Sequence, residues 1–180
     1  MSSNLSPLKL WKNWRTVEKK IRKEINWLRS AINVFRKDER VDTIGCDECF
    51  LRQIAILIIF GKVNATEITK APVLKEFWKD EKITGKKNKG EIYHGSDWHR
   101  EKMKKIENHF IFLGFKVIRE PNLNQGRADL GVYKKGEQDL FIEVGTISLF
   151  KLWLNLRSMK NFTYLIVPND NNLIEFVVKK

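Results

Sequence analysis

Residues 115–145 read FKVIREPNLNQGRADLGVYKKGEQDLFIEVG, and this stretch decides the fold. Three apolar runs, FKVIRE, RADLGVYKK and DLFIEVG, are separated first by a polar segment opening at Pro121 and then by a short turn at Lys135–Gln138 that contains Gly136. That punctuation predicts three consecutive strands, the last two forming a hairpin. In RADLGVY the period of two sends Arg127, Asp129, Gly131 and Tyr133 to one face and Ala128, Leu130 and Val132 to the other. In DLFIEVG, Leu140, Ile142 and Val144 share one face, and Phe141, Glu143 and Gly145 share the opposite one. Each strand therefore interrupts an apolar pattern with one acid. Paired as a hairpin, they bring Asp129 and Glu143 side by side, where like charges repel unless something neutralises them.

Working outward, residues 97–113 carry Trp98, Met103, Ile106, Phe110 and Leu113 at helical spacing, and Gly114 closes that helix before the first strand. After the hairpin come a helix over about residues 148–159, the strand former FTYLIV, a turn at PNDNN and a last strand LIEFVVK. The expected class is α/β, in the order helix, three strands, helix, strand, with one strand appended. A mixed central sheet covered by helices follows from that order.

The first half of the chain has another rhythm. Apolar residues at Trp11, Trp14, Val17, Ile21, Ile25, Leu28, Ile32 and Phe35 alternate steps of three and four, which predicts one long helix starting near Pro7. Lys12, Arg15, Lys19, Lys20, Arg22, Lys23 and Arg29 occupy its other side. That side can face phosphates or simply water, and the apolar seam needs a partner, a second copy of the chain being one candidate. The apolar stretch CDECFLRQIAILIIF, residues 46–60, predicts a buried helix ending at Gly61. Asn64 with Glu67 reads as a further helix start, and Pro72 as the opening of another helix through Leu74, Phe77 and Trp78, together suggesting a helix-turn-helix-like unit. The Gly- and Lys-rich stretch near residues 84–96 reads as a linker. The expected organisation is thus an all-helical basic region over 1–83, the linker over 84–96, and an α/β domain over 97–180.

The chain has 180 residues with 34 Lys and Arg against 22 Asp and Glu, a net charge of +12. Residues 1–37 carry +8 of that excess. A balance of this sign points to a polyanion, with nucleic acid ahead of an acidic membrane surface. The longest apolar run, Ile54–Phe60, falls far short of the roughly 20 residues that span a bilayer. Two cysteines, Cys46 and Cys49, make no disulfide framework, so a reducing, cytoplasmic setting is expected. Their C-x-x-C spacing also suits half a zinc site, with His94 and His99 as distant partners, or a redox dithiol, or two packed cysteines at a helix start. The six tryptophans fit packing seams better than base stacking.

Two opposed carboxylates suit a hard divalent cation, Mg²⁺ or Mn²⁺, completed by water and a phosphate oxygen. The alternative is structural: Asp129 pairs with Arg127 or another cation, and Glu143 reaches water at a strand end. Glu120, at the end of the preceding strand, brings a third carboxylate to the same region and favours the metal.

The helix, three strands, helix, strand order, with GRADLGVY and FIEVG, resembles the PD-(D/E)XK nucleases, a superfamily that includes archaeal Holliday junction resolvases, many restriction enzymes and enzymes of archaeal viruses. The likeness covers residues 97–168. Asp129 matches the aspartate of the second strand and Glu143 the acid of the third; His99 and Glu120 look like the histidine and glutamate that a subset of such nucleases adds. The family's lysine, two residues after the acid, is replaced here by Gly145. Lys151 on the following helix is the nearest downstream cation, with Gln125 and Arg127 as other substitutes. The resemblance implies a restriction-endonuclease-like core and a metal held by Asp129, Glu143, the main-chain carbonyl of Val144 and Glu120. It further implies hydrolysis of DNA, duplex or branched, by water attacking phosphorus in line; the charge of the first helix separately nominates Lys12, Arg15, Lys19, Lys20, Arg22 and Lys23, with Arg127, to hold the DNA. A DNA-binding protein that keeps the fold without cutting is the other reading.

Overall fold

The structure, a computed structural model, describes residues 7–32, 47–68, 97–124, 126–145, 147–168 and 172–179. Four helices and eight strands are found among them: α1 (Pro7–Ala31), α2 (Asp47–Ile59), β1 (Val63–Ile68), α3 (Asp97–Phe112), β2 (Lys116–Arg119), β3 (Asn122–Leu123), β4 (Gly126–Arg127), β5 (Leu130–Tyr133), β6 (Asp139–Val144), α4 (Leu149–Ser158), β7 (Phe162–Val167) and β8 (Leu173–Val178). Six strands form one sheet in the order β1-β8-β7-β6-β5-β2, and β3 pairs with β4 in a small separate ribbon. Only β6 and β7 run parallel, joined through the crossover helix α4; the other pairings in the large sheet are antiparallel. The mixed α/β architecture expected from the sequence is therefore present.

Alternation in β6 sorts the two faces as expected. Ile142 and Val144 join Leu130, Val132, Leu165 and Val167 in a core closed by Ile106, with Trp98, Met103 and Phe110 of α3 packed against it. Phe141 faces the other way, into a core shared with Leu152 and Leu156 of α4, Leu51 and Ile54 of α2, and Ile21, Ile25 and Leu28 of α1. The basic helix is thus part of the fold: the buried residues of its seam, Ile21, Ile25, Leu28 and Ile32, join the core of its own chain together with α2.

One element departs from expectation. Residues 63–68 form strand β1, not a helix start, and β1 pairs antiparallel with β8 from Val63↔Val178 to Ile68↔Leu173. The three-residue spacing of Asn64 and Glu67 mimics a capping box, but the edge of β8 offers six ladder positions that a local cap cannot match. The N-terminal region is consequently not all-helical, and the three-helix unit is not formed as expected. The helix expected after Pro72 and the linker over 84–96 lie outside the described residues.

No helix among the described residues is long and apolar enough to cross a membrane. Cys49 is disulfide-bonded, which replaces the reduced pair expected at the start of α2; Cys46 and His94 lie outside the described residues.

Candidate active site

The site forms where three strand ends meet. The β2–β5 ladder pairs Arg119 with Leu130 and continues one step, the Glu120 amide donating to the Asp129 carbonyl at 2.8 Å. On its other side β5 pairs Leu130 with Ile142 of β6, so the next residues, Asp129 and Glu143, face each other across the hairpin. The sequence reading of opposed carboxylates holds. There the regular ladder stops, and the Val144 amide donates to Asp129 Oδ2 at 2.7 Å. A carboxylate has taken the place of a main-chain acceptor, which fixes its orientation at the strand end.

His99, in the first turn of α3, supports the same oxygen, with Nε2 at 3.2 Å from Asp129 Oδ2. That hydrogen bond and the charge of Asp129 raise the imidazole above its ordinary pKa, outweighing burial. Both hydrogen bonds fall on Oδ2, so Oδ1 is uncommitted among the described residues.

Glu143 lies deeper, its side chain 5 % exposed. Its Oε1 is paired with the Lys151 ammonium, and its Oε2 accepts from the Tyr164 hydroxyl at 3.0 Å. Burial first, then the charge of Asp129, push the Glu143 carboxyl up to about 7 despite Lys151 and Tyr164, which pull it down. The two acids are close enough to repel, and one lysine does not cancel that repulsion.

Lys151 reaches Glu143 for a local reason. Gly145 has φ +90°, a backbone conformation that a side chain would strain, and β6 ends there. Three residues later Ser148 caps α4, its hydroxyl accepting from the Lys151 amide at 3.2 Å. The cap places Lys151 in the first turn of the helix that crosses over β6, and its ammonium returns to Glu143.

Other expected residues stand apart. Glu120, at φ +50°, is largely exposed and pairs with Arg127 at 3.2 Å; it is aligned with Asp129 along the backbone while its carboxylate is engaged elsewhere. Arg127 is exposed in that pair. Gln125 lies outside the described residues. On α1, Arg15, Lys19, Lys20, Arg22 and Lys23 are exposed, Arg22 pairing with Glu18, and the side chain of Lys12 is outside the described set. Among the described residues no three His, Cys, Asp or Glu side chains gather closely enough to hold a metal by themselves. Asp129 and Glu143 are the two carboxylates brought together at these strand ends, both oxygens of Glu143 being engaged by Lys151 and Tyr164.

Two further residues escaped the sequence reading. Tyr164 of β7 is fully buried beside Glu143, and Asn155 of α4, also fully buried, donates from Nδ2 to the Tyr164 hydroxyl at 2.8 Å. Tyr164 is hidden inside the strand former FTYLIV, but Asn155 carries a signal, since an amide with poor helix propensity interrupts the apolar side of LFKLWLNLRS.

The raised carboxyl has a thermodynamic consequence. Below about pH 4.5 Glu143 is protonated folded or unfolded; between there and about 7 the folded state holds a proton the unfolded chain has released, so stability falls as pH rises. His99, raised by Asp129, acts in the same sense: its stabilisation is complete below its ordinary pKa and disappears as pH climbs through the folded value. Metal-free protein should therefore lose about 2 kcal/mol between pH 5 and 8 in urea titrations, and Glu143→Gln should remove most of that slope. Identical slopes in both proteins would contradict the burial account.

Comparisons with protein-family models, curated proteins and solved structures return no match to the chain.

Proposed function

We propose that the protein is a metal-dependent DNA endonuclease whose site is Asp129, Glu143 and Lys151. The observation that carries this reading is the Lys151 ammonium on the Glu143 carboxylate, across the hairpin from Asp129, with Gly145 in the position a nuclease lysine would usually fill. A buried acid and a lysine at one strand end, beside a second acid with an oxygen uncommitted among the described residues, suit phosphodiester chemistry better than structural pairing, because burial and Asp129 hold the Glu143 carboxyl above its ordinary range despite the lysine.

In this reading Asp129, Glu143 and the Val144 carbonyl hold Mg²⁺ or Mn²⁺, which would offset charge on a bound phosphate and acidify a water. Lys151 supplies a positive charge that a phosphate can share with Glu143, stabilising the extra negative charge of the transition state. His99 holds Asp129 in one orientation. The exposed basic residues of α1 and Arg127 bind the DNA backbone without reading its sequence. The restriction-endonuclease-like description of the core belongs to the same proposal, and the strand and helix order is what supports it.

The test incubates purified protein with plasmid, linear duplex and four-way-junction DNA in Mg²⁺, Mn²⁺ or EDTA. Cutting that needs the cation is expected on at least one substrate. Tight binding to all three without cutting would replace this reading with a non-catalytic DNA-binding protein, for which the basic face of α1 is the supporting feature.

A further inference from the structure

Glu143 is held by more than its lysine. The Tyr164 hydroxyl donates to Glu143 Oε2 at 3.0 Å, and Asn155 Nδ2 donates to that hydroxyl at 2.8 Å. A phenol has one proton and accepts through its oxygen. With an amide donor already aimed at that oxygen, the proton is committed to the carboxylate, so the hydrogen bond has one direction. Burial and the neighbouring Glu143 charge keep the phenol far above its ordinary pKa, and Tyr164 remains a donor throughout the working range.

Asn155 also reaches the other acid's segment. Its Nδ2 donates to the Arg127 carbonyl at 3.2 Å, two residues before Asp129. The contact is close on its other side too: a Cβ added at Gly126 would come within 1.8 Å of Asn155 Oδ1, so only glycine lets the β3–β4 ribbon lie against this amide. Asn155 is fully buried; both of its hydrogen bonds leave from Nδ2, while Oδ1 has no partner among the described residues, a cost that the two donated bonds must offset. One side chain thus ties the backbone leading into Asp129 to the hydroxyl that fixes Glu143.

We infer that Tyr164 and Asn155 are positioning residues, a buried relay that sets the Glu143 carboxylate with Oε2 occupied and Oε1 turned to Lys151, and that locks its spacing from Asp129. The consequence for metal binding rests on the nuclease reading above; the relay itself does not, and it can be read with no metal or DNA present. Neither residue touches the reacting atoms. They act through Glu143, as partners of metal ligands commonly do.

The deciding experiment uses the whole protein and the variants Tyr164→Phe, which keeps the ring and removes only the hydroxyl, and Asn155→Ala. Carboxyl-carbon NMR of metal-free protein should show the Glu143 midpoint in Tyr164→Phe about one pH unit higher than in the parent, because the ionised form no longer has its donor. Calorimetric titration with Mn²⁺ should show affinity about tenfold weaker in Tyr164→Phe, with Asn155→Ala shifted in the same direction. Thermal melts identify any variant that is merely unfolded, and Tyr164→Phe then carries the test alone. An unmoved Glu143 midpoint in folded Tyr164→Phe overturns the relay. A moved midpoint in a parent protein that neither binds Mn²⁺ nor cuts DNA keeps the relay and overturns the nuclease reading instead.

Discussion

Lys151→Ala is expected to cut DNA about 10²- to 10³-fold more slowly than the parent while binding it within about threefold. The size follows from removing one preorganised charge held on a buried carboxylate in a partly buried site, where such donors commonly contribute about 10²–10³ in rate. Binding should survive because, on the proposed reading, the exposed cations of α1 would supply most of the phosphate contacts, and Lys151 is a single charge, 35 % exposed, already committed to Glu143. The same change removes both the charge and the hydrogen bond that lower the Glu143 carboxyl. The acid limb of the pH–rate profile should therefore move to higher pH. Lys151→Arg keeps the charge and should recover part of the rate, with its larger fork fitting less well beside a buried carboxylate. Equal rates in Lys151→Ala and the parent would mean that the lysine only neutralises a structural acid.

The second large effect concerns affinity. Lys19, Lys20 and Lys23 are exposed on α1, whereas Ile21, Ile25, Leu28 and Ile32 on the same helix are buried in the core with α2, α4 and the sheet. Deleting the arm would therefore remove core packing along with charge, and substitution separates the two. The triple variant Lys19→Ala, Lys20→Ala, Lys23→Ala should melt as the parent does, since exposed side chains away from any pair contribute little to stability. Its DNA affinity should fall about 10- to 100-fold near 0.1 M salt. The slope of log K against log salt should flatten by up to about 2.7, roughly 0.9 for each phosphate that the variant leaves unneutralised. An unchanged slope would show that this face of α1 meets only water.

The sequence made some of this legible and concealed the rest for identifiable reasons. Alternation in RADLGVY and DLFIEVG assigned Leu130, Val132, Ile142 and Val144 to one face and brought Asp129 opposite Glu143, because strand period and a short turn are local properties, whereas Ala128, read onto that same face, lies in the other core because the expected strand breaks between β4 and β5. The helix periodicity of α1 likewise named Ile21, Ile25, Leu28 and Ile32 as buried, whereas Trp14, read into the same seam, is exposed. Strand β1 was illegible: its partner β8 lies more than a hundred residues away, and only that pairing overrides a local pattern that reads as a helix cap. Where Lys151 points was equally out of reach, since it depends on the turn at Gly145 and the cap at Ser148 together fixing the phase of α4. Glu120 shows the converse, a residue whose strand register was readable while its side chain turned to Arg127. Tyr164 is concealed because a tyrosine in an apolar strand reads as core until a buried acid is found beside its hydroxyl.

The burial of Glu143 also separates stability from activity. An acid pushed to about 7 by its surroundings weakens the fold at neutral pH, and a glutamine there would strengthen it; retaining the acid is what a metal-binding role requires.

The central claim is that Asp129 and Glu143 form a phosphodiesterase centre, and the initial rate of supercoiled-plasmid cleavage tests it most directly. The parent protein should cleave in Mg²⁺ or Mn²⁺ and stop in EDTA, while Asp129→Ala and Glu143→Ala, confirmed folded by their melts, should lose at least about 10³ of that rate. Cleavage that is absent from the parent, or that persists unchanged in both variants, would contradict the account.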